Sequence, residues 1–378
     1  MIPVCVCAVT LRCGRKERPA VQKNTKQATR EMRYIGLDVG DRVSHYAVKN
    51  GRGQLLEEGR VQSKPEALEK QFGHMRGDRL LMEVGTHSPW MQRSLLQIGL
   101  DARVCDARSA AEANRYGHKT DVRDARMLAE LLRTESQLVT LVDHRSEDDQ
   151  KIWAVIQARD ALVRTRTMLV NLVRGMVKST GARLEGCTAE SFNKTWSAIP
   201  EGLRPALSPI YVQIRQVTTA INRYQKKIAV FVKKDRPEAE QLTQITGVAD
   251  LTALAFVLAM GNVKRFRRSR DAGAYLGLVP KKRKSGDIDP QLGITKRGNS
   301  TVRRLLVCAA HYIIGPFNKT ESDLRTFGLR IAGGGNDSRR KRRAVVAVAR
   351  KLAVVMTAML KSGKPYEAVR PREERIPA

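Results

Sequence analysis

The spacing of apolar residues changes character along the chain, and each change marks a different architecture. Stretches 34–40, 43–49, 54–62, 79–85 and 102–106 read as strands, with Asn50-Gly51-Arg52-Gly53 as a tight turn. Residues 65–75 and 88–98 carry helical spacing, and a further apolar-periodic segment begins near residue 121. The order β-β-β-α-β-α-β-α predicts a mixed sheet with helices on its faces. From 151 to 181 the period shifts: Val155, Leu162, Leu169 and Met176 recur every seven positions. From Ile210 the series Ile210, Ile214, Val217, Ile221, Tyr224, Ile228 and Phe231 steps by four and three. These are seams of an antiparallel coiled-coil hairpin, with Gly181, Gly186, Pro200, Gly202 and Pro205 in the loop region between them. Beyond Pro237 the apolar helices 251–260, 302–306 and 344–360 predict a helical C-terminal region.

The fold class is therefore α/β plus all-α. The expected divisions are a disordered basic leader (1–30), a sheet domain (31–144), the hairpin (145–235), a helical domain (236–366) and a tail (367–378). Its 378 residues suffice for two or three domains with real cores.

Charge adds a partner. Lys and Arg total 69 against 38 Asp and Glu, a formal net charge of +31 and a pI near 10.4. That excess exceeds what solubility needs and makes a polyanion the default partner. There is no apolar run long enough for a transmembrane helix, so no membrane partner is expected. Cys5, Cys7, Cys13, Cys105, Cys187 and Cys308 are scattered, no histidine pair completes a zinc spacing, and free thiols of a reducing compartment are expected.

Four carboxylates stand out against this background. Asp38 and Glu83 each end an apolar strand beside a glycine, where a charge is costly unless paired or bound to a metal. Asp121 and Asp124, three apart at a helix start capped by Thr120 or Asp121, share one helix face. Two strand ends and one helix start would bring mutually repelling charges together. Divalent cations relieve that repulsion. Mg²⁺ suits such oxygen ligands, and two ions about 4 Å apart would support phosphoryl transfer.

Two further features concern nucleic acid. Residues 242–249, Leu-Thr-Gln-Ile-Thr-Gly-Val-Ala, resemble a helix-hairpin-helix turn, with Ala249 where a second glycine is usual. A phosphate-binding turn and a packing turn between helices are equally open there. Cationic residues cluster at Lys281, Lys282, Arg283 and Lys284, then at Lys296, Arg297 and Arg303, and at Arg339, Arg340, Lys341, Arg342 and Arg343 after Gly333-Gly334-Gly335. These are the candidate nucleic-acid contacts.

The segments Ile35-Gly36-Leu37-Asp38-Val39-Gly40, Met82-Glu83-Val84-Gly85 and Lys119-Thr120-Asp121 with Asp124-Ala125 resemble the DEDD motif of the insertion-sequence one-ten/eleven-eleven transposases. Residues 266–306 resemble the C-terminal transposase domain of the same family, and the resemblance spans about 33 to 366. It implies a RuvC-like, ribonuclease-H-type fold for 31–144, with Asp38, Glu83, Asp121 and Asp124 as metal ligands. It also implies a nucleophilic serine just before a glycine, five residues past the Leu-x-Pro proline. Ser285 stands there, within Lys284-Ser285-Gly286-Asp287 where the family often has Ser-Ser-Gly-Gly; Ser269 and Ser300 are its local competitors.

The function so implied is a DNA recombinase moving its own insertion sequence through a covalent phosphoserine link. Its expected partners are double-stranded DNA at element ends and target, a structured element-encoded guide RNA, and further copies of itself as a dimer or tetramer. The resemblance places it in the bacterial cytoplasm, associated with the nucleoid. The alternatives are a RuvC-like, metal-dependent junction nuclease using water, and a non-enzymatic nucleic-acid-binding protein derived from an inactivated element. The four intact carboxylates count against the latter.

Overall fold

In the computed structural model, residues 31–106, 120–135, 139–283, 286, 290, 292–333 and 337–369 are described, and the chain parts into two units between His144 and Arg145. The expected leader 1–30, the end of the tail, Lys284 and Ser285 lie outside the described residues.

The first unit is built on five strands: β1 (Tyr34–Asp38), β2 (Val43–Lys49), β3 (Leu55–Gln62), β4 (Arg79–Glu83) and β5 (Asp101–Cys105). They lie in the order β3-β2-β1-β4-β5, antiparallel from β3 to β1 and parallel from β1 to β5. Among the described residues, the helices α1 (Pro65–Phe72), α2 (Ser88–Ile98) and α3 (Asp121–Arg133) accompany them. Alternation within the strands sorts side chains between two faces. Ile35, Leu37, Leu80 and Met82 pack with Leu68, Phe72, Met91 and Leu95 of α1 and α2. Leu81 and Cys105 pack with Leu128 and Leu132 of α3 on the other face. Because both faces are covered, β1 and β4 read as almost unbroken apolar runs.

Gly36 explains how closely α3 approaches. A Cβ at this position would stand 2.0 Å from the Ala125 carbonyl oxygen and 2.4 Å from the Ala129 nitrogen. Only a residue without a side chain lets the helix backbone lie directly on β1.

The second unit is helical: α4 (Glu147–Ser179), α5 (Arg204–Lys234), α6 (Pro237–Leu242), α7 (Asp250–Met260), α8 (Asp271–Tyr275), α9 (Ser300–Ile314), α10 (Asp323–Ala332) and α11 (Ser338–Ser362). Helices α4 and α5 run antiparallel. Arg159 Nε donates to Gln225 Oε1 at 3.0 Å, and Arg166 Nη1 meets Thr218 Oγ1 at 3.5 Å, so one chain advances as the other recedes. The buried stripe of α4 differs from the seven-residue seam expected for it. Val155, Leu162, Leu169 and Met176 are only half-buried, whereas Ile152, Ile156, Arg166, Val170, Val173 and Val177 are buried. A strict seven-residue step drifts around a straight helix. Here the covering surface also includes Phe192 and Ile199 of the connecting segment, which broadens the buried face.

At its open end the hairpin joins the helical core. Ile152, Trp153, Ile156, Ile228 and Val232 share one cluster with α7, α9 and α11, and α7 is buried from Thr252 to Met260. In the turn before α7, a Cβ on Gly247 would lie 3.2 Å from the Ala309 carbonyl oxygen and from Tyr312 and Ile313 side-chain atoms. That close approach packs the turn against α9. No helix among the described residues is long and apolar enough to cross a membrane.

Candidate functional site

The sheet delivers its carboxylates to one edge. Asp38 is the last residue of β1 and Glu83 the last of β4; these strands are parallel neighbours, with Leu37 opposite Met82. Both chain directions therefore end on the same side, where open α/β sheets place their sites. Thr120 caps α3 by accepting from the Arg123 backbone N–H, which sets Asp121 and Asp124 in the first turn. Carboxylates there also meet the positive end of the helix dipole. Asp124 is 8% exposed, while the Asp121 side chain is 69% exposed.

Asp38 and Asp121 come together with His45. One donor atom from each of these three residues lies within 4.8 Å of the others, and His45 Nδ1 stands 3.5 Å from Asp121 Oδ2. Among the described residues this is the group of three potential ligands so closely spaced; Glu83 and Asp124 are not members of it. The spacing fits a divalent cation, since donors bonded at about 2.0–2.6 Å to one ion stand roughly 3–5 Å apart. Cys105 is opposite Glu83 in the β4–β5 register. Burial, and then the Glu83 charge, push its thiol up to about 12.

His45 was absent from the carboxylate reading, although a signal for it existed. A short turn between 34–40 and 43–49 pairs the strands so that His45 falls opposite Asp38, the register found. Nearby, His87 Nε2 lies 3.0 Å from Asp41 Oδ1, and Trp90 Nε1 donates to His87 Nδ1. This relay ties the loop after β1 to the start of α2.

In the second unit, Pro280 and Ile294 form an antiparallel bridge, reinforced by Lys281 N to Gly293 O at 2.9 Å and Thr295 N to Val279 O at 2.9 Å. It clasps the two ends of the segment containing Ser285, itself outside the described residues. Lys281, Lys282, Arg283, Lys296 and Arg297 are exposed beside it. Arg303 differs: it is half-buried, and its Nη1 donates to the Leu276 and Arg297 carbonyls at 3.0 and 2.8 Å. It braces the loop rather than projecting as a free cation.

Arg339, Arg340, Lys341, Arg342 and Arg343 are all exposed in the first turns of α11. Cations at a helix N-terminus oppose its dipole. Asp337 partly offsets this by accepting from the Arg339 and Arg340 backbone N–H groups, which hold its carboxyl below the ordinary range. Arg342 and Arg343 continue into a groove of about 770 Å³, shared with Lys296, Arg350 and Lys351 above an apolar floor that includes Leu278, Ile294, Phe327 and Val346. Lys351 Nζ sits 4.5 Å from the centre of the Phe327 ring. Five cations around one groove repel each other unless a polyanion neutralises them.

Comparison with known proteins gives a consistent result. The sequence model described as transposase IS116/IS110/IS902 family matches residues 239–324, and a DEDD model of the IS110 type, described as transposase, matches 35–181. The chain is 25% identical to the transposase for insertion sequence element IS1111A of Coxiella burnetii, over 93% of this chain and 96% of that one. It is 27% identical to the transposase for insertion sequence element IS1328 of Yersinia enterocolitica, covering 74% and 83% of the two chains. A probable family 20 transposase of Pseudomonas aeruginosa is 28% identical, over 75% and 84%.

Proposed function

Given that the chain belongs to the IS116/IS110/IS902 family of transposases and carries its DEDD domain, we propose that it cuts and rejoins DNA of its own insertion sequence through a phosphoserine intermediate. The observation that carries this reading is the meeting of Asp38 and Asp121 at the sheet edge that also receives Glu83. In this reading Asp38, Glu83, Asp121 and Asp124 would hold Mg²⁺, which would supply charge stabilisation for phosphoryl transfer when bound.

Ser285 is the nucleophile. Its hydroxyl oxygen bonds to the scissile phosphorus as a DNA strand leaves as a free hydroxyl, and a new strand's hydroxyl later displaces the serine. Storing the phosphodiester as an enzyme–DNA ester allows rejoining without an external energy source; attack by water would lose it. The basic groove and the α11 run contact nucleic-acid backbone. A structured RNA encoded by the element pairs with donor and target, acting on a dimer or tetramer of the protein.

The test is a denaturing gel of full-length protein incubated with element-end DNA, guide RNA and Mg²⁺. A protein–DNA adduct should form, and Ser285→Ala should abolish adduct and recombination while binding persists. Asp124→Asn should lower cleavage by on the order of a hundredfold or more, since even outer-shell changes around a metal reach that scale. If Ser285→Ala still cuts and releases free ends, water is the nucleophile and the enzyme is a junction nuclease.

A further inference from the structure

We infer that His45 is a ligand of the metal held by Asp38 and Asp121, and that it gives this site a preference for a transition-metal dication such as Mn²⁺ over Mg²⁺. This rests on the carboxylate reading above and goes beyond it by naming a nitrogen donor and the metal class it selects.

The fold places His45 by backbone pairing. It lies opposite Asp38 in the antiparallel β1–β2 register, and the first turn of α3, packed on both strands, brings Asp121 to the same point. The imidazole side chain is 16% exposed and faces a carboxylate that is largely open to solvent. Its Nδ1 lies 3.5 Å from Asp121 Oδ2. A hydrogen bond between such groups closes to about 2.7–3.0 Å, so this contact is at the outer limit of one. The same separation suits two donors on adjacent positions around a single ion, given bonds of about 2.0–2.2 Å. Asp38 supplies the third donor within the same 4.8 Å.

Chemistry then decides which ion gains. Mg²⁺ is hard, takes oxygen and sheds water reluctantly, so an imidazole adds little to its binding. Nitrogen donors favour first-row transition metals, with affinity rising from Mn²⁺ onward. A set of two carboxylates and one imidazole therefore raises Mn²⁺ affinity more than Mg²⁺ affinity, and the affinity of later first-row metals more still. Neutral imidazole also adds no charge, leaving more net positive charge at the ion than a third carboxylate would.

The experiment uses the full-length protein and Mn²⁺ alone, without nucleic acid. Free Mn²⁺ is followed by electron paramagnetic resonance, and the bound ion is probed by electron spin-echo modulation. The wild-type complex should show modulation from a directly bound imidazole nitrogen. In His45→Gln that modulation should vanish and Mn²⁺ affinity should fall about tenfold, while Mg²⁺ affinity, measured by competition, should change less than about twofold. Nitrogen-15 histidine labelling of the unsubstituted protein should alter the modulation pattern, so the test does not depend on the variant folding. Bound Mn²⁺ without nitrogen modulation in the wild type, or equal affinity in a folded His45→Gln, overturns the role of His45 and leaves the carboxylate site standing. Failure of the wild type to bind Mn²⁺ at all overturns both.

Discussion

Glu130 ties α3 to the sheet by its charge. It accepts from Lys49 Nζ of β2 at 2.8 Å and pairs with Arg133 on its own helix. The hydrogen bonds from Arg133, then Lys49, hold its carboxyl at about 2 instead of the ordinary 4.5. A depressed carboxylate contributes stability that is fully present above the unfolded value, and this is lost as pH falls from about 4.5 towards 2. The side chain is 39% exposed, so solvent screening keeps the contribution small. Glu130→Gln should thus melt slightly below the wild type above pH 5, and the gap should close as the pH approaches 2; thermal unfolding across that range measures it. A gap that widens on acidification would contradict the pairing. At this scale the carboxylates Asp38 and Glu83 were legible because charge at the end of an apolar strand is anomalous. His45 was legible only through its cross-strand partner, because one histidine in an alternating strand is otherwise ordinary.

Among the elements, the contact of α3 with β1 governs the site. Gly36→Ala would place a methyl group 2.0 Å from the Ala125 carbonyl oxygen, on backbone that cannot rotate aside. The helix must lift, which moves Asp121 and Asp124 together and opens the packing of Leu128 and Leu132. A loss of about 1–3 kcal/mol is expected from such overpacking. Denaturant unfolding should show it, with weakened metal binding in the fraction that stays folded. Wild-type stability in Gly36→Ala would mean that the approach is looser than described. Strand and helix order could be read from apolar period alone, since buried central strands and amphipathic helices differ in that period. The buried face of α4 could not: it depends on the connecting segment that supplies Phe192 and Ile199, which no heptad count includes.

Across the whole molecule, the +31 charge sets the terms of association. The cationic runs were legible in sequence, but their division into bracing and projecting residues was not. Arg303 donates inward to two carbonyls, while Arg350 and Lys351 join Arg342, Arg343 and Lys296 only through helical spacing and the fold. If the groove follows a nucleic-acid backbone, each cation neutralising a phosphate releases a counterion on binding, so affinity must fall steeply with salt. Replacing Arg342 and Arg343 together by Gln should lower the slope of log affinity against log salt by about 0.7–0.9 per residue, whatever the DNA or RNA sequence. Lys151→Gln provides the control, because its charge is already met by Glu147 at 2.9 Å and Asp148 at 3.4 Å. It should leave the slope nearly unchanged. Titrations of labelled duplex and structured RNA over a range of potassium chloride concentrations distinguish the cases. Equal slopes for wild type and the Arg342/Arg343 double variant would place the phosphate contacts elsewhere on the surface. A loss in Lys151→Gln half as large as that in the double variant would show that only total charge matters, and that the groove has no distinct part in binding.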